Sequence, residues 1–69
     1  MINRKFGKLI EEYRKERGFS KRHLAQLTHL SETTIYNVER GFTGANLDTI
    51  KRLYWVLRIS KEDFMSIFS

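Results

Sequence analysis

Hydrophobic side chains recur along this 69-residue chain with the spacing of α-helices. The clearest stripe lies near the N-terminus and is formed by Phe6, Leu9, Ile10 and Tyr13. Their intervals match positions i, i+3, i+4 and i+7, which share one face of an amphipathic helix. No stretch alternates between apolar and polar residues for long enough to predict a β-strand. The pattern therefore predicts an all-α fold of five short helices in a single domain, residues 1–69.

Residues that favour helix ends divide this pattern into its segments. The candidate N-caps are Asn3, Ser20, Ser31, Asn46 and Ser60. Side-chain oxygens at such positions accept a hydrogen bond from a free amide of the first helical turn. Gly18 and Gly41 are placed to end the first and third helices in a left-handed turn. The second helix is expected over about residues 21–27 and the third over about residues 32–40.

Residues 27–41, LTHLSETTIYNVERG, raise the question of whether this region forms one helix or two. A single helix over residues 21–40 would place its apolar side chains on poorly aligned faces. It would also leave Ser31 inside a helix, where a serine hydroxyl competes with the backbone hydrogen bonds. Two helices joined by a turn of about three to four residues explain both features, and that is the spacing of a helix-turn-helix motif.

The predicted third helix has two faces of different chemistry. One face is formed by Ile35, Val38 and Glu39, and the other by Thr33, Tyr36, Asn37 and Arg40. The hydroxyl, amide and guanidinium groups of the second face are of the kind that binds base edges in the major groove of DNA. An ordinary solvated helix face would carry similar polar residues, so this pattern alone leaves both interpretations open.

The charge of the chain bears on its partner. Thirteen Lys and Arg residues and eight Asp and Glu residues give a net charge of +5. Residues 1–41 hold nine basic and five acidic side chains, so most of the excess lies there. Such an excess suggests a polyanionic partner, either nucleic acid or an acidic membrane surface. The membrane alternative is weaker because Glu11, Glu12 and Glu16 neutralise much of the first helix.

Other functional classes find little support in the sequence. The absence of cysteine excludes disulfides and thiolate metal sites. Neither histidine lies in a set of catalytic or metal-ligating residues, so we expect no enzyme activity, cofactor, metal ion or small-molecule ligand. No apolar run approaches the roughly 20 residues of a membrane span, and no signal-peptide pattern is present. The expectation is a soluble, cytoplasmic protein.

Five segments, in order along residues 6–64, carry a family resemblance: FGKLIEEYRKERGFS, HLA, LSETTIYNVERG, NLDTIKRL and ISKEDF. Together they resemble the Cro/phage-repressor-type, or XRE-family, helix-turn-helix DNA-binding domain. The resemblance implies a compact, five-helix, lambda-repressor-like bundle in which helices 2 and 3 form the helix-turn-helix. It also implies a bacterial or phage-encoded, nucleoid-associated protein that places its third helix in the major groove of double-stranded DNA.

The resemblance further implies roles for individual residues. The base-contacting residues would be Glu32, Thr33, Tyr36 and Asn37, and the phosphate-binding residues would be Lys21, Arg22, Arg40, Gly41 and Thr43. Arg14 and Glu39 match a partly buried salt bridge between the first and third helices of the family. Glu32 would also suit a negative charge at the start of a helix, without a base contact, and we favour this helix-end role. Both roles of Glu32 stay open.

Several positions depart from the family pattern. Lys21 replaces the usual glutamine, which favours phosphate contact because an ammonium group only donates hydrogen bonds. His29 and Arg58 stand where the family usually has glycine. For His29 we favour a tolerated turn residue over a pH-sensing role. Phe42 occupies a position that is often basic, and it would either lie under its loop or contact a partner.

Two functions remain open at this point. The first is a sequence-specific transcriptional regulator, such as a small phage or mobile-element repressor, that binds a pseudo-palindromic operator as a homodimer. The second is a protein-interaction module of the same fold, such as an antitoxin that binds a partner protein. Phe42, Trp55 and Phe68 are candidates for a dimer or partner surface, because exposed apolar patches often mark one.

Overall fold

Five α-helices make up most of the chain in the computed structural model, which describes residues 2–42 and 45–69, with residue 2 by its backbone alone. The helices are α1 Ile2–Glu16, α2 Lys21–Thr28, α3 Glu32–Arg40, α4 Leu47–Leu57 and α5 Lys61–Ser66. These described ranges contain no β-strand. The predicted all-α class and its five helices are confirmed.

Four of the predicted N-caps begin a helix. The side-chain oxygens of Ser20, Ser31, Asn46 and Ser60 accept hydrogen bonds from the backbone amide three residues later, at 2.8 to 3.1 Å. Each bond satisfies one of the amides that the first turn of a helix leaves free. The prediction for Asn3 is wrong, because α1 already begins at Ile2 and Asn3 lies inside its first turn.

A residue in the left-handed backbone conformation follows each of the first four helices. The backbone angle φ is 72° at Gly18 and 71° at Gly41, but also 58° at His29 and 53° at Arg58. A side chain in this region crowds the following carbonyl oxygen, so His29 and Arg58 hold strained backbone where glycine would be relaxed. Because His29 ends α2, residues 21–40 form two helices and not one.

The turn between α2 and α3 is supported from α4. Nη1 of Arg52 donates a hydrogen bond to the carbonyl oxygen of Thr28 at 3.1 Å. The hydroxyl of Thr28 is buried and donates to the carbonyl oxygen of Leu24 at 2.8 Å. Carbonyl groups at the end of a helix lack partners within the helix. Arg52 therefore satisfies one such group and connects α4 to the end of α2.

The hydrophobic core draws on four helices and on the residues that flank the fifth. Its buried members are Phe6, Ile10, Leu24, Ala25, Ile35, Val38, Leu53, Leu57, Ile59 and Ile67. Ile59 and Ile67 lie before and after α5, and Phe64 of α5 packs partly buried against the same cluster. Of the predicted α1 stripe, Phe6 and Ile10 are buried, and Leu9 and Tyr13 pack partly buried against the cluster.

At Gly7 the α1 helix lies directly against the backbone of α3. A Cβ atom built at Gly7 would clash with the carbonyl oxygen of Val38 and lie 2.8 Å from that of Glu39. The absence of a side chain therefore lets α1 lie directly on the backbone of α3. This glycine was not among the residues predicted to have a structural role. Its signal was available, because a glycine inside a helix costs about 1 kcal/mol relative to alanine and so suggests a packing reason.

Arg14 and Glu39 form a buried ion pair between α1 and α3. Nε of Arg14 lies 2.6 Å from Oε2 of Glu39, and Nη2 lies 3.1 Å from Oε1, so the contact is bidentate. Nη1 of Arg14 donates to the carbonyl oxygen of Phe19 at 2.9 Å. Hydrogen bonding to the Glu39 carboxylate raises the pKa of Arg14 above its ordinary value, although burial opposes this shift. The pair fixes the orientation of α3 about its own axis.

Candidate nucleic-acid interface

The packing of α3 decides which of its side chains face solvent. Ile35, Val38 and Glu39 are buried against the rest of the fold. The opposite side carries Glu32, Thr33, Tyr36 and Arg40, which are exposed, and Asn37, which is partly exposed. The structure therefore brings all four predicted base-contacting residues, together with Arg40, to the open side of one helix.

Glu32 occupies the first turn of α3 and is exposed. A carboxylate there is favoured by the positive end of the helix dipole. The same location leaves the group free to accept a hydrogen bond from a cytosine amine in a groove. The geometry is compatible with both roles, and neither excludes the other.

The predicted phosphate-binding cations flank the open side of α3. Lys21 and Arg22 occupy the first turn of α2, where Arg22 is exposed and Lys21 is partly exposed. Nζ of Lys21 lies 5.9 Å from the centroid of the Tyr36 ring, which places the start of α2 beside the middle of α3. Arg40 lies at the other end of α3, and Gly41 follows it as the C-cap. Thr43 lies outside the described residues.

A depression next to Arg40 adds basic residues that sequence analysis missed. It has a volume of about 310 Å³ and is lined by Arg4, Lys8, Glu11, Glu39 and Arg40. The two acidic residues have other partners, since Glu39 binds Arg14 and Glu11 binds Lys15. Arg4 and Lys8 therefore extend the positive charge around the C-terminal end of α3. Their spacing of four residues on one helix face was the available signal.

The three aromatic residues predicted for a partner surface have different surroundings. The Phe42 ring contacts the Tyr36 ring at a centroid distance of 6.2 Å, beside the open side of α3. Trp55 instead contacts Tyr54 at 5.8 Å, and Phe68 contacts Phe64 at 5.8 Å. Tyr54 and Phe64 are themselves in contact at 5.1 Å. Trp55 and Phe68 thus belong to one aromatic run across α4 and α5. Phe42 is separate from this run, because its ring contacts a side chain of α3.

Two properties of the described residues, 2–42 and 45–69, bear on other kinds of site. In these ranges no three or more His, Cys, Asp or Glu side chains are grouped so as to hold a metal ion. No helix among them has the length and apolar character needed to cross a membrane.

Comparison with known proteins agrees with this geometry. A family model described as helix-turn-helix matches residues 10–64. The chain is 38% identical over 63 residues to a Methanothermobacter thermautotrophicus protein named as an HTH-type transcriptional regulatory protein. That alignment covers 91% of this chain and 20% of the relative, so the chain spans about a fifth of that protein.

A solved structure is also similar over nearly its whole length. The crystal structure of the restriction-modification controller protein C.AhdI from Aeromonas hydrophila superposes with a TM-score of 0.81 at 32% sequence identity. The match covers 90% of this chain and 94% of the controller protein. With the five helices, the turn at His29 and the open side of α3, these matches establish the family. The chain belongs to the Cro/phage-repressor-type (XRE) helix-turn-helix family of DNA-binding regulators.

Proposed function

We propose that this protein is a sequence-specific transcriptional regulator that places α3 in the major groove of double-stranded DNA. The observation that carries the proposal is the open side of α3, where Thr33, Tyr36 and Asn37 reach solvent. Two cations, Lys21 and Arg40, lie beside the Tyr36 ring on this side, 5.9 and 5.8 Å from its centroid. A single α-helix fits the major groove, and its polar side chains can distinguish base pairs there. The buried side of α3 keeps this surface in one orientation.

Three of the four proposed base-contacting residues have a defined hydrogen-bonding role, and Tyr36 would contact a base or the sugar-phosphate backbone. The amide of Asn37 can bind N6 and N7 of adenine together, which is the pairing that such a side chain makes best. Thr33 can donate or accept a hydrogen bond, or contact a thymine methyl group with its own methyl. Glu32 would accept from a cytosine amine, although its role as a helix-end charge remains the competing interpretation.

Backbone contacts would come from the start of α2 and from the C-terminal end of α3. Lys21 and Arg22 would bind phosphates of one strand, with help from the free amides at the start of α2. Arg40, Gly41 and Thr43 would contact the other strand, and Arg4 and Lys8 extend this second group. Such contacts orient the protein on the duplex and do not by themselves select a sequence.

The proposed assembly is a homodimer on a pseudo-palindromic operator, with repression by occupancy of the site. Two recognition helices about one helical turn of DNA apart would read equivalent half-sites. Trp55 is 72% exposed and Phe68 is 55% exposed, and both belong to the aromatic run across α4 and α5. This surface would form the dimer contact in a small cytoplasmic, nucleoid-associated repressor of the phage or mobile-element type.

The same exposed aromatic run supports the second candidate function. In a protein-interaction module of this fold, such as an antitoxin, Trp55 and Phe68 would bind a partner protein instead of a second copy. The two functions make opposite predictions for DNA. Only the first requires that α3 and its flanking cations bind a duplex.

Selection from a random duplex library, followed by binding measurements at several salt concentrations, tests the proposal. We expect enrichment of a two-fold symmetric motif and an affinity that falls steeply with salt, because each neutralised phosphate releases counterions. Enrichment of no motif would contradict a sequence-specific regulator. Tight binding to a co-encoded protein, with indifference to DNA, would favour the interaction module.

The oligomeric state is tested separately by sedimentation equilibrium with and without the selected operator. We expect two chains on each operator, and weaker assembly in Trp55→Ala with an unchanged helical content. Lys61→Gln is a control because Lys61 is exposed on α5 but is not part of the aromatic run. One chain per operator at saturation would contradict the homodimer.

A further inference from the structure

Cationic and aromatic side chains alternate along the edge of the proposed DNA surface. The ring of Tyr36 lies between two cations, with Nζ of Lys21 at 5.9 Å and Cζ of Arg40 at 5.8 Å from its centroid. Cζ of Arg40 also lies 5.5 Å from the centroid of the Phe42 ring. We call these four residues, Lys21, Tyr36, Arg40 and Phe42, the cation–aromatic row.

The backbone places Phe42 at the end of this row. Gly41 adopts the left-handed conformation, which turns the chain back at the end of α3. The amide of Phe42 then donates a hydrogen bond to the carbonyl oxygen of Asn37 at 3.0 Å. The Phe42 ring contacts the Tyr36 ring edge to face, and Arg40 lies within reach of both rings. The location of Phe42 therefore follows from the helix cap.

Burial does not account for these aromatic residues. Phe42 is 63% exposed and Tyr36 is 43% exposed, so neither belongs to the hydrophobic core. Their ring contacts are with each other and with Lys21 and Arg40. A cation over an aromatic ring is attracted by the ring's electron density. The cation–aromatic row is thus a set of surface contacts in which the two rings attract Lys21 and Arg40.

We infer that Phe42 and Tyr36 are positioning residues, which hold Arg40 and Lys21 in place for two phosphates of a bound duplex. The inference rests on the proposed function. A free arginine side chain loses conformational freedom when it binds, and prior ordering reduces that loss. An aromatic ring contacts the face of a guanidinium group and leaves the donors at its edge free for phosphate. Because Tyr36 contacts both cations, it also links their positions.

This role makes Phe42 part of the DNA interface and separates it from the α4 and α5 aromatic residues. It also gives Tyr36 a function that does not depend on reading a base. Substitution of Phe42 should therefore weaken binding to all duplexes by a similar factor, whereas substitution of Tyr36 would also remove its proposed base contact. A residue that reads a base would instead change the preferred sequence.

A double-mutant cycle between Phe42 and Arg40 tests the inference on the selected operator and on an unrelated duplex. Phe42→Leu should weaken both complexes about two- to fivefold, the range expected for an exposed cation–aromatic contact. Phe42→Trp should keep the wild-type affinity because it retains a ring. Arg40→Gln should lower the slope of log affinity against log salt by about one. In the Arg40→Gln background, Phe42→Leu should have no further effect.

Two controls test whether the loss of affinity belongs to the row itself. Lys61→Gln removes the same charge as Arg40→Gln from the exposed surface of α5 and should leave the affinity nearly unchanged. In the free protein, the side-chain δ-protons of Arg40 should show an upfield NMR ring-current shift that Phe42→Leu reduces. This second readout reports the contact itself and does not require DNA.

The outcomes are distinct. The inference about Phe42 is overturned if Phe42→Leu binds like the wild type, or if it weakens binding equally in the Arg40→Gln background. It is also overturned if the loss accompanies a change in oligomeric state, which would assign Phe42 to a subunit contact. A wild-type chain that binds no duplex would overturn the proposed function itself, and the DNA role of the row with it.

Discussion

The two sides of α3 differ in almost every physical property, although they share nine residues of backbone. On the inner side, Ile35 is fully buried and Glu39 is held by Arg14 in a bidentate ion pair. On the outer side, Tyr36 is 43% exposed, and the cationic groups of Lys21 and Arg40 lie 5.9 and 5.8 Å from its ring centroid. The helical period thus separates a side that maintains the fold from a side that can bind a partner.

Stability and DNA binding should therefore respond to different substitutions in the same helix. Inner-side changes act on the contact between α1 and α3, where Gly7 and Arg14 meet α3. Outer-side changes remove groups that are already solvated, so they should leave the free energy of unfolding nearly unchanged. Three substitutions test this separation and a fourth tests the turn before α3, in order from the largest expected effect to the smallest.

Glu39→Ala should have the largest effect. It leaves the buried Arg14 guanidinium without its partner, and breaking a buried pair in this way costs about 3–5 kcal/mol. The side chains of Arg14 and Glu39 are only 8% and 2% exposed, so solvent cannot replace the lost contact. Urea unfolding measures the change. Glu11→Ala is the control, because its exposed pair with Lys15 should contribute at most about 1 kcal/mol; equal losses in the two variants would contradict the prediction.

Gly7→Ala should destabilise the fold by about 1–3 kcal/mol, the usual cost of overpacking. The added methyl group would clash with the carbonyl oxygen of Val38, so α1 and α3 must separate. At an exposed helical position the same substitution would stabilise, by about 1 kcal/mol. The sign of the change in thermal unfolding therefore decides whether the close approach exists. Lys8→Ala, at the exposed neighbouring position, should change stability by less than about 0.5 kcal/mol.

Asn37→Ala should weaken operator binding by about 1–3 kcal/mol and relax the preference at one base pair in each half-site. Its stability should stay close to that of the wild type, because the Asn37 side chain lies on the outer side of α3. Lys21→Ala is the matched comparison: it should weaken all duplexes alike and lower the salt slope by about one. If the two variants behaved identically, the assignment of base and phosphate contacts would be wrong.

His29→Gly should have the smallest effect and the opposite sign. Relief of the left-handed strain at φ 58° should stabilise the fold by up to about 1 kcal/mol, less the extra backbone entropy of glycine. Gly18→Ala is the reciprocal control. Among the described residues, and apart from its two chain neighbours, no heavy atom lies within 4 Å of a Cβ built there. Its loss of stability would therefore measure the left-handed conformation. A destabilised His29→Gly variant would show that the imidazole contributes to the turn.

Local signals in the sequence predicted the helix ends well. Ser20 and Ser31 were identified as caps, and the glycine-like positions of His29 and Arg58 were recognised as departures. These features depend on groups within about four residues of one another, so the chain specifies them before any packing occurs. The prediction for Asn3 was wrong because the presence of a capping residue type does not by itself show where a terminal helix begins.

The candidate site was predicted in its central part and missed at its margins. The period of α3 was enough to place Thr33, Tyr36 and Asn37 on one side, because the spacing of a helix is regular. Arg4 and Lys8 were missed, since their position beside Arg40 depends on how α1 crosses α3. Phe42 was grouped with Trp55 and Phe68 by side-chain type, but the cap at Gly41 directs it to Tyr36.

The family, the five helices, their caps and the polar side of α3 could be read from residue order alone, because each depends on short-range spacing. The family resemblance also implied the pair of Arg14 and Glu39. Packing decided that Gly7 is a point of close approach and that two cations share one aromatic ring. These features join residues far apart in the chain. Their geometry follows from the distance and angle between helices, which a one-dimensional pattern does not contain.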